Sequence, residues 1–188
     1  MRPMKPDKEI SVSTIWIPTV GGSIPALVLA PKTGAENAAG VLWIHGGGYI
    51  LGMKEMVHMS RAVDLVKKFG AVVVSPGYRL ALAAPYPAAL DDCYAALLYM
   101  KSHAAGLGIR VDQIVGDGEP FYAETVRYIE NLKKSGIPAS VDVYHSDMHA
   151  FDMMQPDTPL SREAARRFNE QFAYAQTHYF APQGESER

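Results

Sequence analysis

The chain has 188 residues, 48% of them hydrophobic and 20% charged, with a formal net charge of −2. That is enough for one domain with a sizeable core, and the interspersed charges give no basic surface for nucleic acid or an anionic membrane. One cysteine, Cys93, excludes an intramolecular disulfide and fits a reducing compartment; no stretch is long and apolar enough for a signal core or a membrane span, so a soluble, cytoplasmic protein is expected.

Strand-like and helix-like segments alternate along the chain, which points to an α/β sheet. STIWIPTV (13–20) and IPALVLAP (24–31) read as two strands around the turn Gly21-Gly22-Ser23. VLWIH (41–45) and AVVVS (71–75) are continuous apolar runs, as strands buried on both faces should be. Between them, Lys54 to Phe69 reads as one amphipathic helix with Met59, Val63, Val66 and Phe69 inward, closed by Gly70 as a left-handed cap. YRLALAAPYP (78–87) is a loop. Ala88 to His103 is predicted helical, with Leu90, Tyr94, Leu97 and Leu98 on one side. DQIVG (112–116) is a short strand, Pro120 to Ser135 a helix, SVDVYH (140–145) a strand and Leu160 to Tyr179 a last helix.

His45-Gly46-Gly47-Gly48 follows a buried strand directly. Glycines there let backbone N–H groups face a cleft without side-chain obstruction, and two such donors can hold the negative oxygen of a tetrahedral acyl-transfer intermediate. HGGG after a strand is the oxyanion-hole pattern of lipases and esterases. By itself it is also compatible with a plain glycine turn. It lacks the spacing of a phosphate loop.

VLWIHGGGYILG, VVVSPGYRLA, YPAALDDCYAALLYM, LGIRVDQI, VGDGEPFYAETVRYIENLKKSGIP and VDVYHSDMHAFDMM together resemble, in order, the hormone-sensitive-lipase-like carboxylesterases and lipases of the α/β-hydrolases. The resemblance runs from about residue 12 to 180. It implies that Gly47 and Gly48 form the oxyanion hole, that His149 is the catalytic histidine of an H-x-F turn, and that Glu119, before Pro120, is the catalytic acid with Asp117 as fallback. A carboxylate in that place orients the imidazole and stabilises its charge. Taken singly, Glu119 could equally cap a helix N-terminus and His149 could be an ordinary loop histidine. His145, Asp147 and His149 have no further ligand cluster around them, so no metal is expected, and no cofactor.

The chain departs from the family at one place. LGIRVDQI resembles the run into the strand that precedes the nucleophile elbow, whereas VGDGEPFY resembles the later acid turn. An internal deletion near 114–116 is therefore expected, removing the G-x-S-x-G serine and the elements behind it. No other G-x-S-x-G occurs. Ser75, Ser146 and Cys93 are poor substitutes, Cys93 because it falls on the apolar side of a helix. Fusing the two strands keeps the alternation; the strand order that the resemblance implies puts DQIVG beside VLWIH, and the helix from Pro120 is expected to cross over to SVDVYH with the usual right hand.

The expected product is a single truncated α/β-hydrolase domain over 1–188, a doubly wound, mostly parallel sheet of about six strands flanked by helices. Its function is expected to be that of an esterase descendant that takes a small ester or ligand but, without the serine, is inactive or very weak. The alternative is a non-catalytic binding or assembly protein, or a natural or engineered deletion variant with a hydrolase-like fold. Apolar surface uncovered by the deletion predicts a homo-oligomer.

Overall fold

A computed structural model describes residues 7–117, 122–136, 139, 141–146 and 151–178. The chain divides into two compact units, Met1–Gly118 with Gln171–Arg188, and Glu119–Glu170.

The first unit is built on five strands: β1 (Ile10–Thr19), β2 (Gly22–Pro31), β3 (Ala38–Trp43), β4 (Val72–Pro76) and β5 (Ile109–Asp117). They lie in the order β1-β2-β4-β3-β5. β1 and β2 form an antiparallel hairpin, and β2 meets β4 antiparallel. β4, β3 and β5 run parallel. The expected neighbourhood of 112–116 and 41–45 is therefore present: Val41 pairs with Val115, Leu42 with Gly116 and Trp43 with Asp117. The register shifts between Ala38, opposite Ile109, and Gly40, opposite Ile114. The intervening residues of β5 form a bulge, closed by an ion pair between Arg110 and Asp112 at 2.9 Å.

Strand alternation divides the core between two faces. Val28, Leu42, Val72 and Val74 point to the face covered by Ala96 and Met100 of α2 (Ala88–Ser102). Leu29, Val41 and Val73 are in register on the opposite face. There Leu65 and Val66 of α1 (Ala62–Phe69) are buried, and α1 contacts β2 and β4. The sheet is thus doubly wound. α3 (Ala104–Leu107) is a single turn leading into β5.

Three expectations change in this unit or beside it. The predicted helix 54–69 is two elements, a 3-10 turn over Lys54–Met59 and then α1. Ser60 separates them: its hydroxyl donates to the Val57 carbonyl at 2.8 Å and accepts from the Ala62 N–H at 3.2 Å. The break resets the helical phase, so Val57, Ala62, Leu65 and Val66 are buried while Met59 is exposed. Gly70 is the left-handed cap expected, with φ 66°; the Gly70 N–H bonds the Val66 carbonyl and the Ala71 N–H the Leu65 carbonyl.

α2 faces the sheet with a different stripe from the one predicted. Ala89, Asp92, Cys93, Ala96 and Met100 are buried; of the predicted four, Leu97 is half-buried against the core, whereas Leu90, Tyr94 and Leu98 are exposed. Its small residues allow closer approach to the sheet than the leucines would.

The second unit holds α4 (Tyr122–Lys134), the single turn α5 (Phe151–Met154) and the start of α6 (Pro159–His178). α6 begins with Pro at its first position, and the Thr158 hydroxyl caps it by accepting from the Ser161 N–H at 3.3 Å. The predicted strand 140–145 does not form over 141–146. The described sheet therefore has five strands where about six were expected. Its alternating Val141 and Val143 are exposed, and a β-prone run without a ladder partner gains nothing from the extended form. Among the described residues, no helix is long and apolar enough to cross a membrane.

Candidate functional site

β3 ends at Trp43, and the chain turns sharply through Gly46, Gly47 and Gly48. Gly47 has φ 122° and Gly48 φ 61°, both in the region that favours glycine. A Cβ on Gly47 would overlap the Leu51 carbonyl; one on Gly48 would meet open space. Tyr49 follows at φ 62°, a left-handed conformation that costs a non-glycine residue free energy and persists only where its surroundings impose it. Here the Ala81 N–H bonds the Tyr49 carbonyl at 2.8 Å.

Each peptide unit of the turn is held by its carbonyl. The Tyr78 hydroxyl donates to the His45 carbonyl at 2.8 Å. The Gly46 carbonyl lies 2.9 Å from His45 Nδ1, and a carbonyl only accepts, so the imidazole proton sits on Nδ1. The Gly47 carbonyl accepts from the Ile50 and Leu51 N–H groups at 3.1 and 3.0 Å. The N–H groups on the other sides of the last two planes, those of Gly47 and Gly48, have no bond among the described residues, and both glycines are exposed. Two neighbouring backbone donors thus face outward at the carboxyl edge of a parallel strand, where open α/β sheets place their sites.

The His45 side chain is 3% exposed and stacks on Tyr78, ring centroids 4.1 Å apart and planes 11° from parallel. Burial holds the imidazole below its ordinary value near 6.5, outweighing the Gly46 carbonyl and the charge of Glu55. Burial also pushes the Tyr78 phenol up to about 12, with Cys93 and Tyr49 adding to the shift. At neutral pH the pair is uncharged, and Tyr78 is a donor. Gly52, at φ 111°, completes the nest: a Cβ there would strike His45 Nδ1 and the Gly46 carbonyl.

One residue beyond Tyr78, the Arg79 guanidinium forms a two-point bond to Asp92 of α2, at 2.9 and 2.7 Å, and the Arg79 N–H bonds the same carboxylate at 2.9 Å. Burial alone would raise the Asp92 carboxyl; Arg79 outweighs it and holds the group below its ordinary value. None of Tyr78, Arg79, Asp92 or Gly52 stood out as a site residue in the sequence. Asp92 left one signal: it is a charged residue in helical phase with Ala89, Cys93 and Ala96.

The structure places Gly47 and Gly48 together, adjacent along the turn. Asp117 ends β5 opposite Trp43. Glu119 and His149 lie outside the described residues. Ser75 is fully buried and its hydroxyl donates to the Lys54 carbonyl at 3.0 Å, so it is committed to holding the 3-10 turn. Cys93 is 7% exposed, and burial pushes its thiol up to about 12, which suits an inert core residue. Among the described residues, no group of three His, Cys, Asp or Glu side chains could hold a metal ion.

Residues 41–118 match a family described as having the alpha/beta hydrolase fold. Carboxylesterase NlhH of Mycobacterium tuberculosis is 41% identical over 88 residues, which are 45% of this chain and 26% of that protein. An AB hydrolase superfamily protein of Schizosaccharomyces pombe is 36% identical over 97 residues, 50% of this chain and 28% of its own length. Ethyl acetate hydrolase of Pseudomonas putida is 31% identical over 118 residues, 60% of this chain and 37% of its own. The chain thus matches well under half the length of these relatives. Among solved structures, a Pyrobaculum calidifontis esterase superposes with a TM-score of 0.77 at 22% identity, covering 92% of this chain and 87% of that one. A bacterial heroin esterase superposes with a TM-score of 0.59 at 27% identity, covering 84% and 53%. The sheet, the turn and these matches agree: the chain has the alpha/beta hydrolase fold, and the relatives it matches bear the names of esterases and hydrolases.

Proposed function

We propose that this chain is a single-domain, cytoplasmic descendant of a carboxylesterase that binds small esters or carboxylates through the Gly47 and Gly48 N–H groups and hydrolyses them very weakly or not at all. The observation that carries the reading is that pair of outward-facing, unbonded donors held by a rigid turn. A carbonyl oxygen takes both N–H bonds; the resemblance gives His149 the role of base and Glu119 that of the acid that orients it. No G-x-S-x-G serine is present, so water must attack. It adds to the carbonyl carbon, His149 takes its proton, and the tetrahedral oxyanion collapses, expelling an alkoxide that recovers that proton. Oxyanion donors and binding without a nucleophile retain on the order of 10³–10⁴ over the uncatalysed rate.

The pairing of β5 directly beside β3 supports an internal deletion near 114–116, because a strand fused there keeps its place in the parallel ladder. A short-chain p-nitrophenyl ester assay tests the reading. Turnover at the level of ordinary esterases, lost in His149→Ala, would overturn it, as would a serine-directed phosphonate that labels one serine. An intact mass well above 20.5 kDa would locate the missing segment in the native protein.

A second reading, an assembly module, rests on α2. Leu90, Tyr94 and Leu98 recur every four residues and are 55%, 59% and 47% exposed. Large contiguous apolar patches on a surface mark contact sites. A second copy covering it would make the protein a homo-oligomer. Light scattering at low micromolar concentration should then give at least twice the monomer mass, reduced by Leu90→Glu with Leu98→Glu; a monomer overturns the reading.

A further inference from the structure

We propose that Tyr78 is a positioning residue for the Gly47 N–H, acting through His45 across 33 positions of sequence. The argument rests on peptide planarity. A trans peptide points its N–H opposite its carbonyl, so whatever holds the Gly46 carbonyl aims the Gly47 N–H. That carbonyl is held by His45 Nδ1. The imidazole in turn is held by Tyr78, whose ring stacks on it and whose hydroxyl oxygen lies 3.2 Å from Nδ1 while donating its proton to the His45 carbonyl. One phenol therefore fixes two successive peptide planes and selects the imidazole tautomer.

The Gly48 N–H is aimed independently. Its plane is held by the Gly47 carbonyl, which takes the Ile50 and Leu51 N–H groups. Tyr78 should therefore govern one of the two donors and leave the other largely unchanged. A residue with a merely structural role would move both or neither. The inference rests on the reading that this pair binds a carboxylate or ester oxygen.

The test uses the full chain, labelled with ¹⁵N and titrated with butyrate. In the unaltered protein both the Gly47 and Gly48 amide signals should shift on a common binding curve. In Tyr78→Phe, which keeps the ring stack and loses the hydroxyl, the Gly47 response should be lost or the affinity weakened about tenfold, the equivalent of one hydrogen bond. The Gly48 amide should still respond. Equal responses in variant and unaltered protein overturn the proposal. The imidazole nitrogens of His45 give a measurement that needs no variant: at neutral pH the proton must be on Nδ1, and a proton on Nε2 overturns the proposal. If neither amide of the unaltered protein responds to butyrate, the binding reading fails, while the tautomer measurement still decides the role of Tyr78.

Discussion

Asp92, fully buried in α2, accepts three hydrogen bonds from one residue, Arg79, two from the guanidinium and one from its backbone N–H. The pair ties α2 to the loop that carries Tyr78, and so stands behind the glycine turn. Arg79 also fills the space that a side chain on Gly21 would need, which brings the β1–β2 turn into the same cluster. A carboxylate whose pKa is held down by its partner contributes stability that is present above its ordinary value near 3.8 and lost as pH falls below it. Asp92→Ala, which leaves the guanidinium without its partner, should cost about 3 kcal/mol in urea unfolding at pH 7, and should flatten the stability profile below pH 4. A change under about 0.5 kcal/mol would mean that the pair is not formed.

Gly47 and Gly48 should respond differently to the same substitution. Gly48→Ala meets open space at a left-handed φ of 61° and should cost about 1 kcal/mol. Gly47→Ala drives a methyl into the Leu51 carbonyl, a main-chain overlap that no rotamer relieves, and should cost about 3 kcal/mol or more. Urea midpoints of the two variants measure the difference. Equal costs would show that the turn has another shape.

His45 gives the acid side of the neutral range its slope. Its pKa is lowered on folding, so between that value and 6.5 the unfolded chain carries the extra proton. Stability therefore falls as pH drops below about 6.5, by at most about 1.4 kcal/mol per pH unit. Urea midpoints at pH 7.5 and 5.5 should show the loss, and His45→Gln should reduce the difference between them.

Tyr78 acts at the alkaline end with the opposite sign. Its pKa rises from 10.0 to about 12 on folding, so its contribution is complete below pH 10 and lost as pH climbs toward 12. Cys93 adds to that limb, since its thiol rises from 9.0 to about 12. Tyr78→Phe should remove part of the alkaline loss, read as the change in melting temperature between pH 9 and 11. An unchanged profile would place the phenol in water.

Cys93 should resist a thiol reagent such as dithionitrobenzoate at pH 8 in the folded protein and react fully in urea. Burial excludes the reagent and suppresses the thiolate together. Rapid reaction in the folded state would show that α2 does not seat its Cys93 face on the core.

The alternation of strands and helices, the left-handed cap at Gly70 and the glycine turn after β3 were legible in the sequence because each depends on short-range sterics. Apolar runs mark strands buried on both faces, and only glycine takes the φ values of that turn without strain. The neighbourhood of β3 and β5 was also legible, through the family resemblance of the segments that carry them. The tertiary structure decided what depends on docking. α2 is apolar on both sides, so periodicity alone allowed either face inward; small residues and the Arg79–Asp92 bond selected the face with Ala96. The run at 141–146 has strand propensity, but a strand exists only with a neighbour to complete its ladder. His45 and Tyr78 are 33 positions apart, and nothing local to either announces the stack. Sequence thus placed Gly47 and Gly48 at the end of their strand, while the contact with Tyr78 decides how the Gly47 N–H is aimed, because a peptide plane points only where its carbonyl is held.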